Sequence, residues 1–225
     1  MGNSHDTDAA LDVERSSAVR VESLAVSIDG VALLEPVSFD IPAGTAVAIT
    51  GANGAGKTTL LRVLAGLVPP TAGSAHIGER PVDERSPAFR RMVAGHIGHT
   101  SFARDLTLDE QLTMVGVSWG SAVTSSSERA TALLDDFGLS HLRTRFAHEL
   151  SSGQTQMFSL ALAIARPFDV LLLDEPEQRL DTERRSQIAG IVRGLVDDGT
   201  TLLFASHNAK LIDAVSDRTV SLMRS

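Results

Sequence analysis

The sequence predicts an α/β fold with three parts: a mixed sheet core, an antiparallel β lobe and an inserted α-helical subdomain. Three patterns along the 225 residues indicate this division. Near the start, apolar and polar residues alternate around turn signals, which is typical of an antiparallel hairpin. In the last third, short and continuously apolar runs alternate with helical patterns, which indicates a parallel sheet buried on both faces. The middle third carries helical periodicity with little strand character.

The antiparallel lobe is predicted first along the chain. Segments 19–28 and 31–41 alternate apolar and polar residues, and Asp29 with Gly30 supplies a turn between them. A Pro-Ala-Gly break then precedes a short apolar strand at 45–50. That strand would begin the core.

The core and the helical insertion account for the rest of the chain. We predict further strands at 73–77, 96–99, 170–173, 201–205 and 219–222. We predict helices at about 57–67, 108–115, 127–137, 141–146, 153–166, 181–196 and from 208 onward. A polar, poorly ordered lead-in at 1–17 would precede one domain at 18–225, with its helical subdomain at about 86–165.

Composition limits the possible functions. The net charge of −8 argues against a nucleic-acid partner, and the absence of cysteine excludes disulfides and thiolate metal sites. No apolar run approaches the roughly 18 residues that a membrane span needs, and the acidic start lacks the features of a secretory signal. We therefore expect a soluble protein, whose membrane role, if any, would come through a partner.

A phosphate-binding loop is predicted at 51–58, which reads GANGAGKT and fits G-x-x-x-x-G-K-[ST]. In such a loop, backbone amides cradle phosphates, Lys57 reaches their oxygens and the Thr58 hydroxyl is placed to bind Mg²⁺. The alternative is a glycine-rich turn with a chance lysine, but the chain has only one other lysine, Lys210. The residues expected at the phosphates are Gly51, Ala52, Asn53, Gly54, Ala55, Gly56, Lys57, Thr58 and Thr59.

Two carboxylates end the apolar run at 170–175, which reads VLLLDE. Such a strand delivers its last residues to the carboxyl edge of the sheet, beside the phosphates. We expect Asp174 to hold Mg²⁺ and Glu175 to polarise the attacking water. Taken alone, the segment would be interpreted as a strand whose acidic end simply meets solvent, and the phosphate-binding loop upstream favours the magnesium site instead.

Two shorter signals have ordinary structural alternatives. Residues 150–154 read LSSGQ, in which Ser151 and Gln154 could simply form a capping box that starts a helix. His207 follows the strand at 201–205 and could be an ordinary helix-start residue. Asp181 could likewise be only the N-cap of its helix.

The order of these motifs resembles the ATP-binding cassette (ABC) family, from about Val19 to Met223. The specific part of the resemblance is LSSGQ followed about 20 residues later by LLLDEP. The resemblance implies a P-loop NTPase fold of ABC type, with ATP and Mg²⁺ as its ligands, and Mg-dependent ATP hydrolysis.

The resemblance also implies roles for residues of this chain. Two domains would pair head to tail and hold ATP between the loop at Lys57 of one copy and the LSSGQ segment of the other. Glu175 would be the general base, His207 would sense the γ-phosphate, and Asp181 would touch the opposite subunit. The residues of that segment expected at the nucleotide are Ser151, Ser152, Gly153 and Gln154.

Four departures from the family pattern stand out. Ile28 occupies the position where an aromatic ring usually stacks on adenine, and the chain has no tyrosine. A glutamine that normally links Mg²⁺ to the transport partner is missing from 100–102. Ser152 replaces a glycine, and residues 177–179 read EQR where small residues are more frequent.

The leading functional hypothesis is the ATPase subunit of an ABC transporter, cytoplasmic and peripheral at the inner membrane face. Its partners would be an integral-membrane permease and a second ABC ATPase domain, identical or not. The region 89–119 would offer a groove to the permease, where Phe102 could be a contact or equally a core residue. Export is favoured over import because the chain ends soon after its last strand. The alternatives are a soluble ABC ATPase that drives assembly, as in iron–sulfur scaffolds, and a degenerate cassette that only binds ATP.

Overall fold

The computed structural model describes residues 17–223. The predicted lead-in at 1–17 therefore lies outside the described residues, apart from Ser17. The strands are β1 Ser17–Ile28, β2 Val31–Pro42, β3 Ala46–Thr50, β4 Ala72–Ile77, β5 Arg80–Pro81, β6 Val93–His96, β7 Val170–Asp174, β8 Thr201–Ala205 and β9 Arg218–Ser221. The helices are α1 Lys57–Leu64, α2 Pro87–Met92, α3 Leu108–Ser118, α4 Val123–Asp136, α5 Ser152–Ile164, α6 Thr182–Asp197 and α7 Ala209–Val215.

The antiparallel lobe is present as predicted. β1 and β2 form a long hairpin whose turn, at Asp29 and Gly30, has positive φ at both residues (51° and 78°). This conformation matches the right-handed twist of the flanking strands. β4 pairs with the other edge of β1, and the short β5 completes a four-stranded sheet in the order β2-β1-β4-β5.

The core sheet is parallel throughout and has the order β6-β7-β8-β3-β9. The three inner strands β7, β8 and β3 are buried on both faces, as their apolar sequences predict, whereas the edge strand β9 is mostly exposed. Alternate side chains enter two different cores. Leu171 and Leu173 join the core formed with α5, α6 and α7, whereas Val170 and Leu172 join the core formed with α1 and the β lobe. Because the strands are parallel, their carboxyl ends lie at one edge of the sheet.

Two local predictions in the middle third are wrong. The strand expected at 96–99 is β6, at Val93–His96, where it pairs residue by residue with β7. The helix expected at 141–146 is replaced by short 3₁₀ turns at Ser140–Leu142 and Ala147–Glu149. In that segment the carbonyls of Arg145 and Arg143 accept hydrogen bonds from Leu108 and Asp109, so they hold the start of α3.

The helical insertion is otherwise more regular than its sequence predicts. α3 and α4 extend into the Ser/Gly-rich interruption and leave only residues 119–122 between them. α2 and β5 were not predicted; α2 has a Ser86 N-cap and Pro87 in its first turn, both ordinary start signals. Among residues 17–223, no helix combines the length and the apolar character that crossing a membrane requires.

Candidate active site

The glycine-rich loop joins β3 to α1 through a series of tight turns. Gly51, Gly54 and Gly56 all have positive φ (143°, 79° and 94°), a conformation that favours glycine. A Cβ on Gly56 would lie 2.6 Å from the carbonyl oxygen of Leu33, so β2 packs directly against the loop. The loop shape therefore depends on glycine for both conformation and space.

Lys57 points its ammonium group back into this loop. Its side chain is buried, and Nζ donates hydrogen bonds to the carbonyl oxygens of Gly51 (2.9 Å) and Ala52 (3.3 Å). A buried ammonium with flexible donors at a helix start is suited to hold phosphate oxygens.

The predicted magnesium-binding residues touch each other. Thr58 Oγ1, in the first turn of α1, donates a hydrogen bond of 2.8 Å to Asp174 Oδ2 at the end of β7. A hydroxyl and a carboxylate are the hard oxygen ligands that Mg²⁺ prefers alongside phosphate oxygens and water. The donor chemistry here therefore fits Mg²⁺ bound together with a nucleotide.

Glu175 occupies an unusual backbone position directly after β7. Its φ is 49°, and its backbone N–H donates to the carbonyl of Ala205 (2.9 Å), which pins it beside β8. Its Oε1 lies 3.4 Å from Nε2 of His207, and its carboxyl accepts a hydrogen bond from the backbone N–H of His207. Burial, followed by the negative charge of Glu177, raises the pKa of Glu175 to about 7. A carboxyl with a pKa near neutrality is matched to general-base work.

These groups share one open cavity of about 870 Å³ at the carboxyl edge of the sheet. The predicted residues among those that line it are Asn53, Gly54, Gly56, Lys57, Thr58, Thr59, Asp174, Glu175 and His207. Sequence reasoning did not assign a site role to several others that line it, namely Val31, Ala32, Leu33, His96, Gly98, His99, Thr155, Gln156, Ser159, Gln178 and Arg179.

One wall of the cavity is formed by the end of β6 and the residues that follow it, the stretch in which the family glutamine is missing. His96 Nδ1 lies 3.1 Å from Thr100 Oγ1, and the Gln156 side chain also hydrogen-bonds to this imidazole. Burial lowers the pKa of His96. Phe102 lines the cavity and stacks on Phe158 of the core, with ring centroids 5.6 Å apart, so it has a core contact as well as an exposed side.

The LSSGQ segment lies just outside the cavity of the same chain, because Thr155, the next residue along α5, lines it. Ser151 and Gln154 form the predicted capping box: Gln154 Oε1 accepts from the Ser151 backbone (2.9 Å), and Ser151 Oγ accepts from the Gln154 backbone (3.4 Å). Ser151 and Ser152 are exposed, Gly153 is buried, and none of the four residues lines the cavity. Asp181 is the N-cap of α6, through a 2.9 Å bond from the Arg184 backbone.

Ile28 is exposed at the tip of the β1–β2 hairpin and does not line the cavity. Val31 and Leu33, on the strand that follows, do line it, and they are 62% and 38% exposed. The structure thus places a short apolar strip, rather than an aromatic ring, next to the phosphate loop.

Comparisons with known proteins agree with this geometry. A family model described as ABC transporter matches residues 34–178. The chain is 33% identical to the daunorubicin/doxorubicin resistance ATP-binding protein DrrA of Streptomyces peucetius, over 92% of this chain and 63% of that protein. It is 35% identical to the sulfate/thiosulfate import ATP-binding protein CysA of Mesorhizobium japonicum, over 90% of this chain and 60% of that protein. The chain thus spans about 60% of the length of these two relatives.

A shorter relative and two solved structures match over more of their length. The zinc import ATP-binding protein ZnuC of Alcanivorax borkumensis is 31% identical over 92% of this chain and 75% of that protein. The structure of an ATP-binding subunit of an ABC transporter superposes with a TM-score of 0.82 at 25% identity, covering 92% of this chain and 86% of that one. A dimeric ATP-binding cassette in a post-hydrolysis state with ADP and Pi shares the fold, with a TM-score of 0.81 at 22% identity and coverage of 91% and 94%.

Proposed function

Because the chain belongs to the ABC transporter family of ATP-binding proteins, we propose that it binds Mg·ATP in the cavity beside Lys57 and hydrolyses it to drive a separate membrane permease. The observation that carries this proposal is the hydrogen bond of 2.8 Å from Thr58 Oγ1 to Asp174 Oδ2, at the start of the helix that also carries the buried ammonium of Lys57. These three groups come from the start of α1 and the end of β7, and together they match the phosphate and magnesium requirements of ATP.

The residues of the cavity divide the work of hydrolysis. The loop amides and Lys57 hold the β- and γ-phosphates, while Thr58 and Asp174 would hold Mg²⁺, which neutralises charge on the phosphate oxygens. Glu175 takes a proton from the water that attacks the γ-phosphorus. The bond from that phosphorus to the bridging oxygen of ADP breaks, and ADP and phosphate leave.

His207 would orient this water. Its imidazole lies 3.4 Å from the Glu175 carboxyl, and the backbone of the same residue donates to that carboxyl. Two contacts from one residue fix the direction in which Glu175 can accept a proton. This placement supports a role for His207 next to the γ-phosphate.

A second ABC ATPase domain would complete the site. The cavity is open, and residues 151–154 lie at the start of the 13-residue helix α5, where they do not line the cavity of their own chain and Ser151 and Ser152 are exposed. A helix N-terminus favours negative charge, so the same segment of a neighbouring copy could close over the triphosphate. Asp181, exposed beside it, would contact the opposite subunit, and Ile28 with the apolar strip would lie near the base.

We further propose that a permease anchors the chain at the inner face of the membrane. Exposed apolar residues of α3 and α4, Met114, Val117 and Val123, offer a surface for such a contact. We also propose that residues 18–225 form one domain, with the helical subdomain at about 86–165. For direction we propose export, supported by the similarity to a daunorubicin/doxorubicin resistance protein. Substrate should accumulate inside inverted vesicles; transport in the opposite direction, as the names of the import relatives would suggest, would contradict export.

Steady-state ATP turnover of purified variants tests the hydrolysis proposal. Lys57→Ala should lose phosphate binding and turnover by at least about 100-fold, and Glu175→Gln should bind ATP but lose turnover by about 100-fold or more. Lys210→Ala removes the only other lysine, on the exposed side of α7, and should behave as wild type. Wild-type-like turnover in Glu175→Gln would contradict the assignment of the base. Detergent co-purification with a membrane protein tests the permease.

A further inference from the structure

Glu177 is a buried carboxylate just beneath the cavity, at a position where the sequence departs from the family pattern. Its side chain is 6% exposed and does not line the cavity. Oε1 accepts a hydrogen bond from the hydroxyl of Ser206, whereas Oε2 is buried and has no hydrogen-bond partner within residues 17–223. Burying a carboxylate with a single partner costs free energy, so its presence calls for a function.

Ser206 links this carboxylate to the turn after β8. It is 2% exposed, and the same Oγ that donates to Glu177 accepts a hydrogen bond from the backbone N–H of Asn208 (2.9 Å). Asn208 in turn caps α7, because its Oδ1 accepts from the Leu211 backbone (3.1 Å). The turn 206–208 is therefore fixed between Glu177 on one side and α7 on the other.

His207 sits in the middle of this turn. Its backbone N–H donates to the carboxyl of Glu175, and its ring lies 3.4 Å from the same carboxyl. A displacement of the turn would move both contacts at once. A hydrogen bond from a hydroxyl to a carboxylate is stronger than one between neutral groups, so Glu177 is well suited to hold the turn still.

We propose that Glu177 is a positioning residue for hydrolysis: through Ser206 it holds the turn that orients His207 and Glu175. This inference rests on the proposed ATPase function and deepens it. Glu177 touches neither the cavity nor the groups expected at the phosphates. It should therefore affect the chemical step and leave nucleotide binding intact.

The test is a double-mutant cycle on Glu177 and Ser206, with kcat, KM and the Kd of Mg·ATP measured for each variant. Glu177→Ala and Ser206→Ala should each lower kcat about 10-fold and change Kd less than about 2-fold. The double variant should be no slower than either single variant. Glu177→Gln should recover part of the lost kcat, because its amide oxygen accepts the same hydrogen bond but carries no charge. Glu79→Ala, on the exposed turn between β4 and β5, is the matched control and should equal wild type.

Three results would overturn the inference: additive losses in the double variant, a loss in Kd as large as that in kcat, or a Gln variant as slow as the Ala variant. Melting temperatures check folding. If Glu177→Ala unfolds, the comparison of Ser206→Ala with Glu177→Gln decides alone, and equal kcat in those two overturns the inference. Failure of the ATPase proposal itself looks different, since wild type would then show no turnover.

Discussion

Replacing Gly56 by alanine tests whether the phosphate loop is shaped by its contact with β2. A Cβ at this position would lie 2.6 Å from the Leu33 carbonyl oxygen and 3.1 Å from the Leu34 Cα, both backbone atoms that cannot rotate away. The backbone also has a φ of 94°, which alanine adopts at a cost. Gly120 separates these two effects, because its φ is 97° and nothing lies within 4 Å of a Cβ placed on it.

The expected magnitudes follow from this comparison. The left-handed conformation costs alanine about 1–2 kcal/mol, and the stiffer unfolded chain returns about 0.4–1 kcal/mol, so Gly120→Ala should lower the free energy of unfolding by about 1 kcal/mol. Overlap with a packed backbone adds about 1–3 kcal/mol, which gives roughly 3 kcal/mol for Gly56→Ala. For a chain of this length, these losses correspond to about 2–4 °C and about 6–12 °C in Tm.

Urea denaturation of the nucleotide-free protein, monitored by circular dichroism, measures both losses. A calorimetric scan of the same samples gives the Tm shifts independently. If the two variants lose the same free energy of unfolding within about 0.5 kcal/mol, the contact between the loop and β2 does not constrain the loop.

Three further predictions follow from the site. Burial and the negative charge of Glu177 raise the pKa of Glu175 from 4.5 to about 7, so between these pH values the folded state binds more protons than the unfolded state and stability falls as pH rises. Glu175→Gln should therefore raise Tm at pH 8 and leave it nearly unchanged at pH 5. An equal gain in Tm at both pH values would refute the pKa shift. Thr58→Val keeps the shape of the side chain but removes the hydroxyl, so Mg²⁺ should no longer tighten ATP binding in titration calorimetry by more than about 2-fold, whereas it does in wild type. Because the apolar strip of Val31 and Leu33, rather than an aromatic ring, lies beside the phosphate loop, ATP and GTP should bind within about 10-fold of each other in equilibrium titrations.

The fold was predictable where local chemistry and tertiary packing ask for the same residues. The apolar sequence at 170–173 alone predicts a buried strand, and the structure has one there. The glycines before Lys57 adopt conformations that only glycine takes easily. The helix predicted at 141–146 is absent because carbonyls of this segment accept hydrogen bonds from the start of α3, a long-range contact that periodicity does not encode. The strand predicted at 96–99 lies at 93–96 because its position is set by pairing with β7.

The site was predictable to a similar extent. Lys57, Thr58, Asp174, Glu175 and His207 were assigned from motifs, and the structure brings all five to one cavity. The wall at His96 and Gln156 was missed, since only the packing of α5 against β6 places these side chains together. Glu177 was visible in the sequence only as a departure from a pattern, and its bond to Ser206 joins residues 29 positions apart.

We propose that the nucleotide joins two copies, by placing its triphosphate between the loop of one and the helix start of the other. Sedimentation velocity of the Glu175→Gln variant, with saturation by Mg·ATP confirmed in parallel by equilibrium binding, tests it most directly. We expect a monomer without nucleotide and a species of twice that mass with Mg·ATP, and a monomer in the matched Lys57→Ala/Glu175→Gln variant. A Glu175→Gln protein that remains monomeric when fully occupied by ATP would contradict it.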